Sequence, residues 1–115
     1  MNGDSINNQG GEMPAETLEE QVIDVLRTVY DPEIPVNIYE LGLIYGVDLN
    51  PGNEVIVRMT LTSPGCPVAG SLPIEVENKV LGISGVTSAR VDLIWDPPWN
   101  PGMMTDAAKL QLGMY

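Results

Sequence analysis

One cysteine, Cys66, stands in the run Thr62-Ser63-Pro64-Gly65-Cys66-Pro67, and it is the only thiol in the chain. A thiolate is a soft ligand for iron or zinc and a nucleophile toward disulfides. The chain contains no histidine, which removes both the usual base for a cysteine or serine nucleophile and the commonest metal ligand. Ordinary triad hydrolases are all but excluded. A four-cysteine zinc or iron-sulfur site within one chain is excluded as well. Asp31 and Glu33 are carboxylates of the kind that complete an iron or zinc coordination sphere beside a thiolate. Each of these residues also has a plainer reading. Cys66 can be a small buried hydrophobe, Asp31 an Asx turn that closes a helix, and Glu33 a solvated side chain. Thr62 and Ser63 either hydrogen-bond a ligand sulfur or cap the turn that follows. Trp95, Pro97, Pro98 and Trp99 make a stiff aromatic segment that suits docking of another protein, or the sealing of a core edge.

The elements that must position these residues are read from periodicity. Leu18, Val22, Val25, Leu26 and Val29 fall on one stripe of an amphipathic helix, with Thr17 and Glu20 as a capping box and Asp31-Pro32 as its end. Leu43, Tyr45, Val47 and Leu49 then alternate with Ile44, Gly46 and Asp48, as in a half-buried strand. Asn50-Pro51-Gly52-Asn53 supplies a type II turn, and Val55, Val57, Met59 and Leu61 give the second strand of a hairpin. A helix up to Leu81 follows, with Gly82 as a left-handed terminator. Its start is open between Pro67, which puts Pro73 inside the helix, and Ser71, which puts Pro73 in the first turn. A start at Pro67 would set Cys66 against the positive end of the helix dipole and favour its thiolate. Thr87, Ala89, Val91, Leu93 and Trp95 are expected to face the core from a third strand, with Arg90 and Asp92 facing water. Thr105 to Leu112 reads as a short last helix. Val47, Val55, Val57, Val91 and Leu93 are expected to be buried against Leu18, Val22, Val25 and Leu26.

Composition narrows the partners. Sixteen acidic residues against five basic ones give a net charge of −11, which repels phosphate backbones, so nucleic acid is not expected. No apolar run approaches the roughly 18 residues that a membrane span needs, and no leader is visible, so no membrane partner is expected. A lone free thiol is best tolerated in a reducing compartment, which points to the cytoplasm. Residues 1–13 are polar and without periodicity and read as a disordered tail, leaving residues 14–115 as a single domain.

Three segments of this chain resemble the signature segments of the SufT/PaaD-like family of metal-sulfur cluster biosynthesis proteins, relatives of eukaryotic cytosolic iron-sulfur targeting factors. They are Asp31-Pro32-Glu33-Ile34-Pro35 through Tyr45, Thr60-Leu61-Thr62-Ser63-Pro64-Gly65-Cys66-Pro67, and Trp95-Asp96-Pro97-Pro98-Trp99. The likeness covers roughly residues 16–112. It implies an α+β, two-layer α/β sandwich in the order helix, strand, strand, helix, strand and short C-terminal helix. Two helices cover a three-stranded sheet of order 2-1-3. It also implies a role in iron-sulfur cluster assembly, maturation or repair, in which Cys66 transiently holds or transfers a cluster to client apoproteins. In the family the cysteine and the acidic pair belong to the signature, so Cys66, Asp31 and Glu33 are the candidate metal ligands, and Thr62 and Ser63 line the same site. Because one thiolate cannot hold a cluster, a homodimer, an external thiol such as glutathione or a partner must supply the rest. The expected partners are an iron-sulfur carrier and client apoproteins, and the chain is not expected to be an enzyme. Three rivals stand beside this reading: an adaptor that binds carrier and client without touching iron, a thiol enzyme with Cys66 as nucleophile and Asp31 or Glu33 as base, and an unrelated binding module on the same fold.

Overall fold

Thr17 opens the first helix with both halves of a capping box: its hydroxyl accepts from the Glu20 amide, and the Glu20 carboxylate accepts from the Thr17 amide at 3.0 Å. The computed structural model describes residues 17–31, 34–62 and 70–113. The expected tail over residues 1–13 therefore lies outside the described residues, as do Glu33, Ser63 and Cys66. Helix α1 (Leu18–Leu26) buries Val22 and Leu26. It stops short of Asp31-Pro32 because the Thr28 hydroxyl donates to the Val25 carbonyl at 2.6 Å and the chain turns there. Val29 is buried all the same.

Strand β1 (Ile44–Asn50) pairs antiparallel with β2 (Glu54–Met59). Gly52, with φ of 81°, takes the left-handed position that a type II turn requires, and Asn53 follows at 61°. A bulge between Ile44 and Gly46 shifts the alternation of β1 by one residue. Ile44, opposite Met59, therefore shares a face with Val47 and Leu49, opposite Val57 and Val55, whereas an unbroken alternation would have put Tyr45 there. Helix α2 (Leu72–Leu81) begins after Ser71 with Pro73 in its first turn, so the later of the two starts is the one adopted. Gly70 and Ser71 lie in a turn. Helix α2 therefore does not include Gly70 or Ser71, and the dipole argument for Cys66 concerns residues outside those described. Gly82 ends α2 in ordinary right-handed geometry with φ of −72°, so the left-handed terminator expected there is not used.

Strand β3 (Ser88–Leu93) runs parallel to β2, and the sheet order is β1-β2-β3. The order 2-1-3 is thus corrected to 1-2-3. The chain leaving β2 passes through α2 and returns beside the strand it left, as a parallel crossover does, which makes β2 central. Val55, Val57 and Met59 of β2 are buried and form one cluster with Val22 and Leu26 of α1 and Val76 and Val80 of α2. Leu18, Val25, Val47, Ala89 and Val91 pack half-buried around it. Leu93 and Trp95 do not join the core, being 38% and 42% exposed, and Thr87 is exposed too. An edge strand is covered less completely than a central one, and alternation alone does not say where the cover ends. After β3 come a 3₁₀ turn (Pro101–Met103) that sequence reasoning missed and helix α3 (Asp106–Gln111), capped by Thr105. Met104 and Ala108 bring this last stretch into the core.

Candidate functional site

The start of β1, the end of β2 and the end of β3 lie on one border of the sheet, because β1 is antiparallel to β2 and β3 is parallel to it. Backbone hydrogen bonds continue across that border beyond the strands. The Val29 carbonyl accepts from Ile38, the Ile38 carbonyl from Leu43, the Leu43 carbonyl from Thr60, and the Met59 carbonyl from Ile94, at 2.8, 3.2, 2.8 and 2.8 Å. The three segments singled out in the sequence therefore enter or leave the fold side by side. Borders formed by the carboxyl ends of strands are where α/β sheets commonly bind ligands.

Asp31 is buried, with 5% of its surface exposed, and its carbonyl accepts from the Ile34 amide. A carboxylate so placed is a poor candidate for simple solvation. Thr62, half-buried, is the last described residue before Cys66. Thr60 is fully buried, which the alternation placing it opposite Val57 and Met59 did not suggest. Among the described residues no group of three or more histidine, cysteine, aspartate or glutamate side chains comes together to hold a metal ion.

The tryptophan segment divides into two parts. Trp95, Pro97 and Pro98 are exposed, whereas Trp99 is half-buried and its indole N–H donates to the Leu41 carbonyl at 2.8 Å. Trp99 thus ties the C-terminal stretch to the loop before β1. Glu40, which the sequence reading passed over, completes that tie. Its carbonyl accepts from the Thr105 amide, its carboxylate accepts from the Thr105 hydroxyl, and Arg27 lies 3.5 Å from the same carboxylate. Arg27 also sits 4.7 Å from the ring centre of Tyr39. The signal in the sequence was the Asn37-x-x-Glu40 spacing, and Asn37 accepts from the Glu40 amide at 2.9 Å, as an N-cap side chain does. The Tyr45 hydroxyl donates to the Pro97 carbonyl at 2.6 Å and closes one wall of a hollow of about 650 Å³ beside Ile44, Arg58, Ile94 and Asp96. Trp99→Phe keeps an aromatic ring but loses the N–H together with part of the indole's volume, leaving the carbonyl of the buried Leu41 short of a donor. We expect it to cost about 1 to 2 kcal/mol in urea denaturation. A change within error would show that the tie from Trp99 to Leu41 adds nothing measurable to stability.

The arrangement is that of a small α+β domain that carries its distinctive segments on one sheet border. The chain belongs to the iron-sulfur cluster assembly protein family, whose pattern matches residues 19–93. It is 50% identical over 95 residues to an Fe-S protein maturation auxiliary factor of Porphyromonas gingivalis, covering 83% of this chain and 90% of that one. It is 37% identical over 86 residues to the Fe-S protein maturation auxiliary factor SufT of Staphylococcus aureus, covering 75% of this chain and 98% of that one. A solved domain of unknown function from Bacillus anthracis superposes with a TM-score of 0.78 at 38% identity, over 85% of this chain and 93% of the other. The resemblance read from the three segments is therefore borne out.

Proposed function

We propose that this chain is an iron-sulfur protein maturation factor, a non-enzymatic domain that receives a cluster as cargo through Cys66 and delivers it to client apoproteins. The convergence of the described parts of the three segments on one sheet border carries this reading, because the chain leaves that border at Thr62, four residues before the only cysteine, beside both other segments. Thiolate sulfur is the ligand that iron-sulfur clusters favour. Asp31 and Glu33 are proposed to complete the coordination, with Thr62 and Ser63 donating to cluster or ligand sulfur. The exposed Trp95, Pro97 and Pro98 are proposed to meet the carrier or client, and Trp99 to brace them from behind. One thiol per chain requires further ligands from outside the chain, and a homodimer is the economical source. A reducing, cytoplasmic setting suits a lone free cysteine. Consistent with that setting, no helix among the described residues is long and apolar enough to cross a membrane.

The test is anaerobic purification of the tagged chain, whole and without residues 1–13, followed by iron and sulfide analysis and by activation of an apo iron-sulfur enzyme. Both forms should carry iron and sulfide in equal amounts and activate the client. Client activation without iron on the chain would mark an adaptor. Loss of activity on removing residues 1–13 would place part of the function in the segment proposed here as a tail.

A further inference from the structure

The two edges of the sheet are finished differently. On β3 the outward amide of Val91 is already occupied, donating to the Glu77 carboxylate of α2 at 2.9 Å. On β1 no described strand lies beyond. The Met59 carbonyl faces β3, where it accepts from Ile94, and the Thr60 amide faces β1, where it donates to Leu43. Backbone groups alternate along a strand, so Glu54, Ile56 and Arg58 also face β1, and their partners Asn50, Asp48 and Gly46 turn inward to meet them. Val47 and Leu49 consequently turn their N–H and C=O groups outward. Edge strands are usually blunted by lysine, proline, charge or a bulge; the bulge of β1 lies at its Ile44–Gly46 end, and Val47 to Asn50 beyond it pair regularly with β2. The one charge on β1, Asp48, is instead held by Arg58 of β2, with Nε at 2.9 Å and Nη2 at 3.3 Å. In a chain of net charge −11 this strand is locally neutral.

We propose that β1 pairs antiparallel with β1 of a second copy about a two-fold axis at Val47, joining two sheets into one. The antiparallel two-fold sets the candidate-site borders of the two copies at opposite ends of the joined sheet, so this contact is distinct from the ligand-sharing homodimer invoked above. Charge complementarity selects the second copy as occupant. A two-fold at Val47 sets Asp48 of one copy directly opposite Gly46 of the other. A Cβ added at Gly46 would collide with Nη2 and lie 2.5 Å from Cζ of Arg58, so the guanidinium occupies the space that a side chain at position 46 would take. Asp48 therefore meets Arg58 of the other copy, and each guanidinium serves two carboxylates. No like charges oppose one another across the contact. A side chain at position 46 would displace Arg58 and remove this match, which gives Gly46 a role in the contact. The strand is short, so the dimer should be weak, forming at micromolar concentration or above.

The contact is tested by sedimentation over a concentration series together with site-specific cross-linking of the full chain in a Cys66→Ser background. Val47→Cys places the two thiols on the axis, where hydrogen-bonded antiparallel neighbours have Cα atoms about 5.5 Å apart, within disulfide range. Leu49→Cys places them roughly 13 Å apart. Oxidation should give covalent dimer at least about tenfold faster for Val47→Cys than for Leu49→Cys. Asp48→Arg should weaken the dimer of the otherwise unaltered chain, and the charge-swapped Asp48→Arg/Arg58→Asp should restore it, with circular dichroism confirming that each variant folds. Equal cross-linking at the two positions, or a monomer at all concentrations up to about 1 mM, overturns the proposal. Iron content measured on the unaltered chain separates the two readings. A β1-paired dimer without iron overturns the cluster reading alone, and a monomer that holds iron overturns this contact alone.

Discussion

Cys66→Ser should leave the melting curve within a few degrees of wild type, yet abolish iron retention on anaerobic reconstitution and activation of a client enzyme. The stability half rests on the sequence around the thiol. The cysteine lies in a Pro-Gly-Cys-Pro run whose prolines and glycine favour a turn over a packed helix or strand. The loss of function rests on chemistry. A serine hydroxyl is a hard, protonated ligand at neutral pH, and a chain with one cysteine and no histidine has no other soft ligand to replace it. Asp31→Asn and Glu33→Gln should give intermediate losses if the carboxylates complete the site, and none if they only shape the chain after α1. A Cys66→Ser protein that unfolds, while Cys66→Val restores both stability and client activation, would assign the cysteine to packing and end the proposed mechanism.

Gly42→Ala should cost about 3 kcal/mol in urea denaturation, among the largest effects of removing no atoms at all. Two causes combine. Gly42 has φ of 83°, a left-handed conformation that a residue with a Cβ adopts at a penalty of about 1 kcal/mol. The added carbon would also lie 2.3 Å from the Met103 carbonyl oxygen, a backbone atom with no side-chain freedom to move aside. The 3₁₀ turn would have to lift away from the loop before β1. Gly52→Ala separates the two causes, because Gly52 has φ of 81° but nothing within 4 Å of the new carbon. If the two substitutions cost the same, the turn is not anchored at Gly42.

Local interactions were the legible part of this sequence. The Thr17–Glu20 capping box, the Pro51-Gly52 turn and the alternation of Val55, Val57 and Met59 each involve residues a few positions apart, and each is present as expected. Features decided at a distance were not legible. Alternation marks β3 as a strand but does not say that β2 is its neighbour, and the sheet order had to be corrected for that reason. The bulge in β1 moved Tyr45 off the face that simple alternation gave it, and freed its hydroxyl to reach Pro97. Leu93 and Trp95 were placed in the core by pattern, whereas burial depends on what covers the strand end. For the candidate site, the three segments were visible from residue types and order alone. Their meeting on one border needed the strand directions, and the burial of Asp31 needed the coordinates.

The tie between the C-terminal stretch and the loop before β1 has a kinetic side. Trp99 reaches Leu41 across 58 residues of sequence, Thr105 reaches Glu40 across 65, and the Gln111 amide reaches the Pro35 carbonyl across 76. Contacts that close such long loops lose much chain entropy before they return any enthalpy, and they tend to form after the local hairpin and crossover. Groups absent from the folding transition state act almost wholly on the rate of escape from the native state. The strap therefore works as a latch on unfolding, so that weakening it at Trp99 shortens the lifetime of the folded chain while leaving the speed of its formation nearly untouched.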